Sequence, residues 1–264
     1  MLIFNNKGDL NKHLQGISNT NSTIGFVPTM GALHLGHLSL LDKSIENNTH
    51  TVISIFVNPT QFNNPEDLEK YPRTIENDIE KIKTVSNKIL VYAPTVEDIY
   101  EGNTASQHYG FDGLENQMEG KFRPGHFDGV GTVVKRLLEI VKKLVAKEKI
   151  PVTIIGCPIY RESNGLAMSS RNERLSVKER ENASIIFEIL NQAKTLFGTE
   201  SAAIVTDFVA KAFEKYPDFE LEYFEIADEE TLLPCVTKSE NKDYRAFIAV
   251  FLNKIRLIDT ISLK

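Results

Sequence analysis

Residues 28–37 read Pro28-Thr29-Met30-Gly31-Ala32-Leu33-His34-Leu35-Gly36-His37, and no other stretch constrains the fold of this chain as tightly. The apolar run Ile24-Gly25-Phe26-Val27 precedes them, and Leu38, Leu40, Leu41 and Ile45 follow at helical spacing. Such a pattern is a strand, a tight turn and a helix, with glycines and histidines gathered in the turn. A helix start offers unpaired backbone N–H groups and the positive end of a dipole, a setting that suits a phosphate. Gly31 and Gly36 allow a backbone or ligand to come close where a Cβ would clash. His34 and His37, three apart, project from one side of the first helical turn.

Two plainer readings compete. A histidine pair near a turn can be no more than solvated side chains, and H-x-x-H can be half of a metal site. A zinc site needs further ligands, and the chain has two cysteines only, Cys157 and Cys235, far apart, with no second histidine pair. H-x-G-H directly after a strand resembles the signature of the nucleotidylyl-transferase superfamily, whose members act at the α-phosphate of a nucleoside triphosphate. The nucleotide reading is the one carried forward, with no protein-held metal.

Bulk composition narrows the partners. The 264 residues suffice for a sizeable core and two domains. The net charge is −6 with acids and bases interspersed, which leaves no nucleic-acid footprint and argues against a tRNA-binding synthetase. Two cysteines do not make a disulfide framework, and no signal-like or bilayer-length apolar run is present. A cytoplasmic protein with small-molecule substrates, and neither nucleic acid nor membrane as partner, is expected.

Along the chain, apolar runs alternate with helical patterns. Strands are expected at Thr23–Val27, Thr51–Val57, Ile89–Tyr92 and Val152–Gly156, and helices at Leu38–Asn47, Ile75–Ser86 and Gly131–Lys149. This alternation predicts an α/β, Rossmann-like parallel sheet with helices on both faces, ligands binding beyond the carboxyl ends of its strands. Later the style changes: helices at Ser176–Leu196 and Ser201–Tyr216, then strands at Leu221–Ile226, Tyr244–Leu252 and Ile255–Ile258, the last two joined through Asn253-Lys254 as a tight hairpin. The division expected is a nucleotide-binding domain over 1–165 and a smaller α+β C-terminal domain over 166–264 that closes over the active site.

Three further stretches carry polar chemistry. Phe56-Val57-Asn58-Pro59-Thr60-Gln61-Phe62 follows the second strand, so a proline turn holds the Asn58 and Gln61 amides at its carboxyl end. Glu119-Gly120-Lys121-Phe122-Arg123-Pro124-Gly125-His126 is a glycine- and proline-shaped loop before the Gly131–Lys149 pattern. Gly165-Leu166-Ala167-Met168-Ser169-Ser170-Arg171-Asn172 puts two hydroxyls and an arginine after small residues, which suits a phosphate-gripping loop. Each alone is equally an ordinary turn, loop or helix-capping cluster.

Taken together and in this order, these blocks resemble the pantothenate synthetase (pantoate–β-alanine ligase) family. The resemblance covers PTMGALHLGH at 28–37, SIFVNPTQFNNPEDLEKYPRT at 54–74, EGKFRPGHFDGVGTVV at 119–134, NGLAMSSRN at 164–172 and, more weakly, RLID at 256–259. It implies an ATP- and Mg²⁺-dependent ligase that condenses pantoate with β-alanine through a pantoyl adenylate, releasing AMP and pyrophosphate. Such chemistry asks the protein chiefly for positioning and charge stabilisation. By the same resemblance His34 and His37 are catalytic, with His37 the proton donor. Met30, Gly31, Ala32, Leu33, His34, Leu35, Gly36 and His37 line the ATP site, and Tyr160, Met168, Ser169, Ser170 and Arg171 bind ATP as well. Gln61 and Asn58 bind pantoate and then β-alanine. Mg²⁺ is carried by the triphosphate, and a homodimer is the family's usual state.

One departure stands out. The family has a strand ending in F-G-E-K-D and then a helix opened by a pair of glutamines, which supply a lysine and an acid for ATP and a glutamine for pantoate. Here Leu138-Glu139-Ile140-Val141 runs directly into Lys142-Lys143-Leu144-Val145. The difference amounts to about one strand and one helix, ~17 residues. Either this segment is missing from the sequence but not from the protein, with Val141 and Lys142 then well over one ~3.8 Å Cα step apart, or it is truly deleted. A true deletion would make the chain a nucleotide-binding remnant without ligase activity. Another adenylyl or cytidylyl transferase is the remaining alternative.

Overall fold

The computed structural model describes residues 1–17, 21–59, 62, 65–100, 113–124 and 153–264. They belong to two compact units, the first holding residues up to 100 together with 123–124 and 153–158, the second holding 113–122 and 159–264. The expected Gly131–Lys149 helix, the Val141–Lys142 junction and Gln61 lie outside the described residues.

The first unit is built on β1 (Leu2–Phe4), α1 (Lys7–Ile17), β2 (Ile24–Thr29), α2 (Leu35–Asn47), β3 (His50–Ile55), α3 (Pro65–Glu69), α4 (Ile75–Val85), β4 (Leu90–Tyr92) and α5 (Val96–Tyr100). Its four strands are parallel in the order β1-β4-β3-β2. Successive side chains of a strand face opposite ways, and the cores on the two faces show it. Ile53 and Val91 pack with Leu41 of α2 and Ile82 of α4, whereas Val52, Leu90 and Tyr92 pack with Leu10 of α1. Helices thus cover both faces, and each apolar side chain so buried is worth about 1.5–3 kcal/mol of transfer free energy. Gly25 lets α2 lie close against β2: a Cβ there would stand 2.0 Å from the Ser44 hydroxyl.

Four elements of this unit, β1, α1, α3 and α5, were not expected from the sequence. The strand expected at Val152–Gly156 is corrected. Thr153–Gly156 have no ladder partner among the described residues, Ile155 is exposed, and Val152 lies outside them. A β-branched run forms a strand only where a sheet edge receives it.

The second unit contains a 3₁₀ turn at Leu114–Asn116, α6 (Met118–Phe122), a 3₁₀ turn at Ser170–Arg174, α7 (Val177–Asn182), α8 (Ile185–Phe197) and α9 (Ala202–Phe213). They are followed by β5 (Phe219–Asp228), β6 (Tyr244–Leu252) and β7 (Ile255–Ser262), an antiparallel sheet in the order β5-β6-β7. Ala246, Ile248 and Val250 of β6 join one core with Ile186, Ile189 and Leu190 of α8 and Val205 and Val209 of α9. The single helix expected over Ser176–Leu196 is two. Ser184 N–H reaches the Glu181 carbonyl and Ile186 N–H the Ala183 carbonyl, tighter three-residue bonds that break the α-helical ladder. The hairpin through Asn253-Lys254 is present, with Leu252 paired to Ile255 and Asn253 at φ +53°, a left-handed setting that asparagine tolerates.

Candidate active site

Strands β2 and β3 are neighbours, with Thr29 in register with Ile55, and Phe56 N–H donates to the Thr29 carbonyl at 3.0 Å. Both loops expected to carry the chemistry therefore leave the same edge of the sheet, at the carboxyl ends of its strands. From β2 the chain enters a bend with Gly31 at φ +82° and Ala32 at φ +49°. A left-handed alanine costs about 1–2 kcal/mol, so the bend must be held from outside.

The holding groups come from α4. The Asp78 carboxylate is fully buried and accepts from Ala32 N–H at 2.9 Å and Leu33 N–H at 2.7 Å, one oxygen each. Lys81 Nζ donates to the Leu33 carbonyl at 2.5 Å. Leu33, expected among the ATP-lining residues, has its side chain in the core and both backbone polar groups engaged in this way.

After the bend, His34 caps α2 with extended backbone, its carbonyl accepting from His37 N–H at 2.8 Å and Leu38 N–H at 3.1 Å. The two imidazoles lie with ring centroids 3.9 Å apart. His34 N–H donates to His37 Nδ1 at 3.3 Å, which puts the His37 ring proton on Nε2. Burial, with the neighbouring His34 and the Lys81 ammonium, pulls the His37 pKa down to about 3. His37 is thus a neutral imidazole at pH 7, with an N–H to donate and no excess proton. Leu35 is exposed, and Met30, Ala32, Gly36 and the two histidines are partly so.

On the second loop, the Asn58 carboxamide oxygen accepts from Tyr100 Oη at 2.5 Å, a bond that fixes the amide's orientation. Tyr100 carried no sequence signal beyond being one of eight tyrosines.

The second unit gathers the other expected residues by itself. Tyr160 and Met168 face each other across a short hairpin: Met168 N–H donates to the Tyr160 carbonyl at 3.0 Å, Arg161 bridges Ala167, and Gly165 turns the chain at φ +90°. Ser169 then caps the 3₁₀ turn, its hydroxyl accepting from Arg171 N–H at 3.2 Å. Fully buried Asn172 donates to Glu162 Oε1 and to the Ala167 carbonyl, and Arg180 holds Glu162 by two bonds. Met168, Ser169, Ser170 and Arg171 therefore sit on a hairpin and turn fixed at both ends.

Strand β7 ties two motifs that sequence reasoning left separate. Arg161 meets Asp259 and Arg256 meets Glu119, so the R-L-I-D stretch anchors both the Tyr160–Arg171 hairpin and the E-G-K-F segment. Tyr223 Oη also donates to Glu119, and its ring stacks on Phe122. The two ion pairs span 98 and 137 residues of chain, and opposite charges that far apart give no local pattern to read.

Comparison with known proteins gives a consistent result. The family model for pantoate-beta-alanine ligase matches residues 2–262. A pantothenate synthetase of Flavobacterium psychrophilum is 61% identical, with all of both chains covered, and one of Christiangramia forsetii is 48% identical over all of this chain and 99% of its own. The first alignment runs over 282 positions and takes in all 264 residues, so part of the relative has no counterpart in this sequence. The excess is close in size to one strand plus one helix, about 17 residues. Among solved structures, a pantothenate synthetase of Thermus thermophilus superposes with a TM-score of 0.87 at 33% identity, covering all of this chain and 99% of that one. Pantoate-beta-alanine ligase from Francisella tularensis, complexed with beta-gamma ATP and beta-alanine, superposes with a TM-score of 0.77 at 33% identity over 100% and 98% of the two chains. The chain belongs to the pantoate–β-alanine ligase family.

Proposed function

We propose that this chain condenses pantoate with β-alanine, driven by cleavage of ATP. The observation that carries the reading is the strand–bend–helix bearing His34 and His37 at a sheet's carboxyl edge, in a chain 61% identical end to end to a pantothenate synthetase. The pantoate carboxylate attacks the α-phosphorus of ATP, forming the acyl–oxygen–phosphorus link of a pantoyl adenylate and expelling pyrophosphate. The amine of β-alanine then attacks the acyl carbon, and AMP leaves with the bridging oxygen.

Each proposed role follows from what the residue offers. His37 donates from Nε2–H to phosphate oxygens as negative charge shifts toward the leaving pyrophosphate, with His34 beside it. The α2 N-terminus adds backbone N–H groups and its dipole. Met30 to Gly36 shape the nucleotide's seat. Asn58, oriented by Tyr100, and Gln61 bind pantoate and then β-alanine. Tyr160, Met168, Ser169, Ser170 and Arg171 bind ATP, Arg171 as a phosphate-matched cation. Mg²⁺ neutralises triphosphate charge when bound. Phosphate oxygens and water would hold it, as suits a hard dication. No helix among the described residues is long and apolar enough to cross a membrane. We further propose a cytoplasmic homodimer, on the family's habit.

The test is AMP release from Mg-ATP with both acid substrates present or each withheld. Release that needs pantoate and β-alanine together supports the ligase. ATP binding without release would instead make the chain a nucleotide-binding remnant.

A further inference from the structure

The structure assigns Asp78 and Lys81 of α4 as positioning residues for the nucleotide-binding turn, one gripping its N–H groups and the other its carbonyl. The inference rests on the ligase reading above.

Both Asp78 oxygens leave their own helix to bond two successive N–H groups of the turn, and Lys81, one helical turn on, takes the next carbonyl. Three consecutive backbone groups are thereby fixed from one rigid element. Successive N–H groups beside a left-handed residue form a concavity that binds anions. Here that concavity is filled by Asp78, so the triphosphate is directed onward to the α2 N-terminus and His37. A fully buried carboxylate is costly unless it is hydrogen-bonded, and an apolar residue would serve packing as well. The use of a carboxylate is explained by the Ala32 strain it offsets. Gly31 belongs to the same arrangement, since a Cβ there would meet Asp78 Oδ2 at 3.1 Å. Lys81 also places a positive charge beside His37, which stands against a second proton on that ring.

Neither residue touches the reacting atoms, so the test separates the two half-reactions. Adenylation is read as pantoate-dependent exchange of labelled pyrophosphate into ATP, and aminolysis as β-alanine attack on chemically prepared pantoyl adenylate. Aminolysis expels no pyrophosphate, and its adenylate substrate has no β- or γ-phosphate for the turn to direct. Asp78→Asn, which keeps shape but turns an N–H donor toward an N–H, is expected to lower kcat/KM for ATP in adenylation by at least about tenfold, with aminolysis within about twofold of wild type. Lys81→Met is expected to do the same, and carries the test alone should Asp78→Asn fail to fold. Parallel loss of both half-reactions, or no change in either, would overturn the assignment. Wild-type protein inactive in both half-reactions would overturn the ligase reading, and the inference with it; the wild-type control distinguishes the two failures.

Discussion

The Arg161 guanidinium meets the Asp259 carboxylate through two bonds, of 2.6 and 2.9 Å, and lies over the Phe187 ring at 3.9 Å. Asp259 is buried on β7, and Arg161 opens the hairpin that leads to Met168 and Arg171. Removing one member of such a pair strands the other charge, which costs about 3–5 kcal/mol. Asp259→Ala should therefore unfold at a lower denaturant midpoint with an unchanged slope. Arg161→Lys should also destabilise, since an ammonium cannot reproduce the two parallel bonds or the stacking. A midpoint equal to wild type in Asp259→Ala would mean the pair contributes nothing to stability.

Gly25 gives a second structural prediction. An alanine there places its Cβ 2.0 Å from Ser44 Oγ, and Ser44 is itself bonded to Thr51 at 2.8 Å. Overpacking of this kind costs about 1–3 kcal/mol. Gly25→Ala should lower the melting temperature, and adding Ser44→Ala should recover part of the loss. Additive losses in the double variant would show that the clash is not with Ser44.

Acid stability should depend on Asp228. Burial alone would raise its pKa, but the N–H and hydroxyl of Thr231 and the Lys242 ammonium outweigh it and bring the value to about 2, from an ordinary 3.8. A carboxylate held below its unfolded value stabilises the fold above about pH 4, and that contribution fades as pH falls toward 2, at most about 2.5 kcal/mol in all. Melting temperature followed from pH 6 to pH 2 should fall less steeply in Asp228→Asn than in wild type, from a lower starting value. Parallel curves would remove Asp228 from the acid response.

His37 carries the clearest catalytic prediction. As a neutral Nε2–H donor it should be replaceable in part by an amide and not by a methyl. His37→Ala should lower turnover by about 10²–10³, the usual loss for one preorganised donor, and His37→Gln should lose less. With its pKa depressed to about 3, the free protein's ring stays neutral down to about pH 4. Imidazole NMR shifts should accordingly show no His37 titration near 6.5. A titration there would contradict the neutral ring on which this role is built.

What could be read from the sequence was local. The apolar run before Pro28, the glycines at 31 and 36 and the leucine spacing after them marked β2, the bend and α2, because strand and helix periods are written in adjacent residues. Alternating strands and helices gave the parallel sheet, and Asn253-Lys254 the hairpin. Hidden were the groups that hold those pieces from a distance. Asp78 looks like any acid in a helix's first turn, where the dipole favours it, and its partners lie 45 and 46 residues earlier. Arg161 and Asp259 are 98 apart. Thr153–Gly156 had the composition of a strand, but a strand needs a neighbour; among the described residues these four have none, and no neighbour can be read from so short a run.

Attack of the pantoate carboxylate on the α-phosphorus of ATP is the step on which the proposed function stands, and an isotope label reports it directly. Pantoate carrying heavy oxygen in its carboxylate is turned over with Mg-ATP and β-alanine, and the products are weighed by mass spectrometry. One heavy oxygen in AMP and none in pyrophosphate is the predicted result, because the bridging atom leaves with the nucleotide. Label in phosphate or pyrophosphate, or ATP consumed with no label in AMP, would contradict the acyl-adenylate route and the function proposed for this chain.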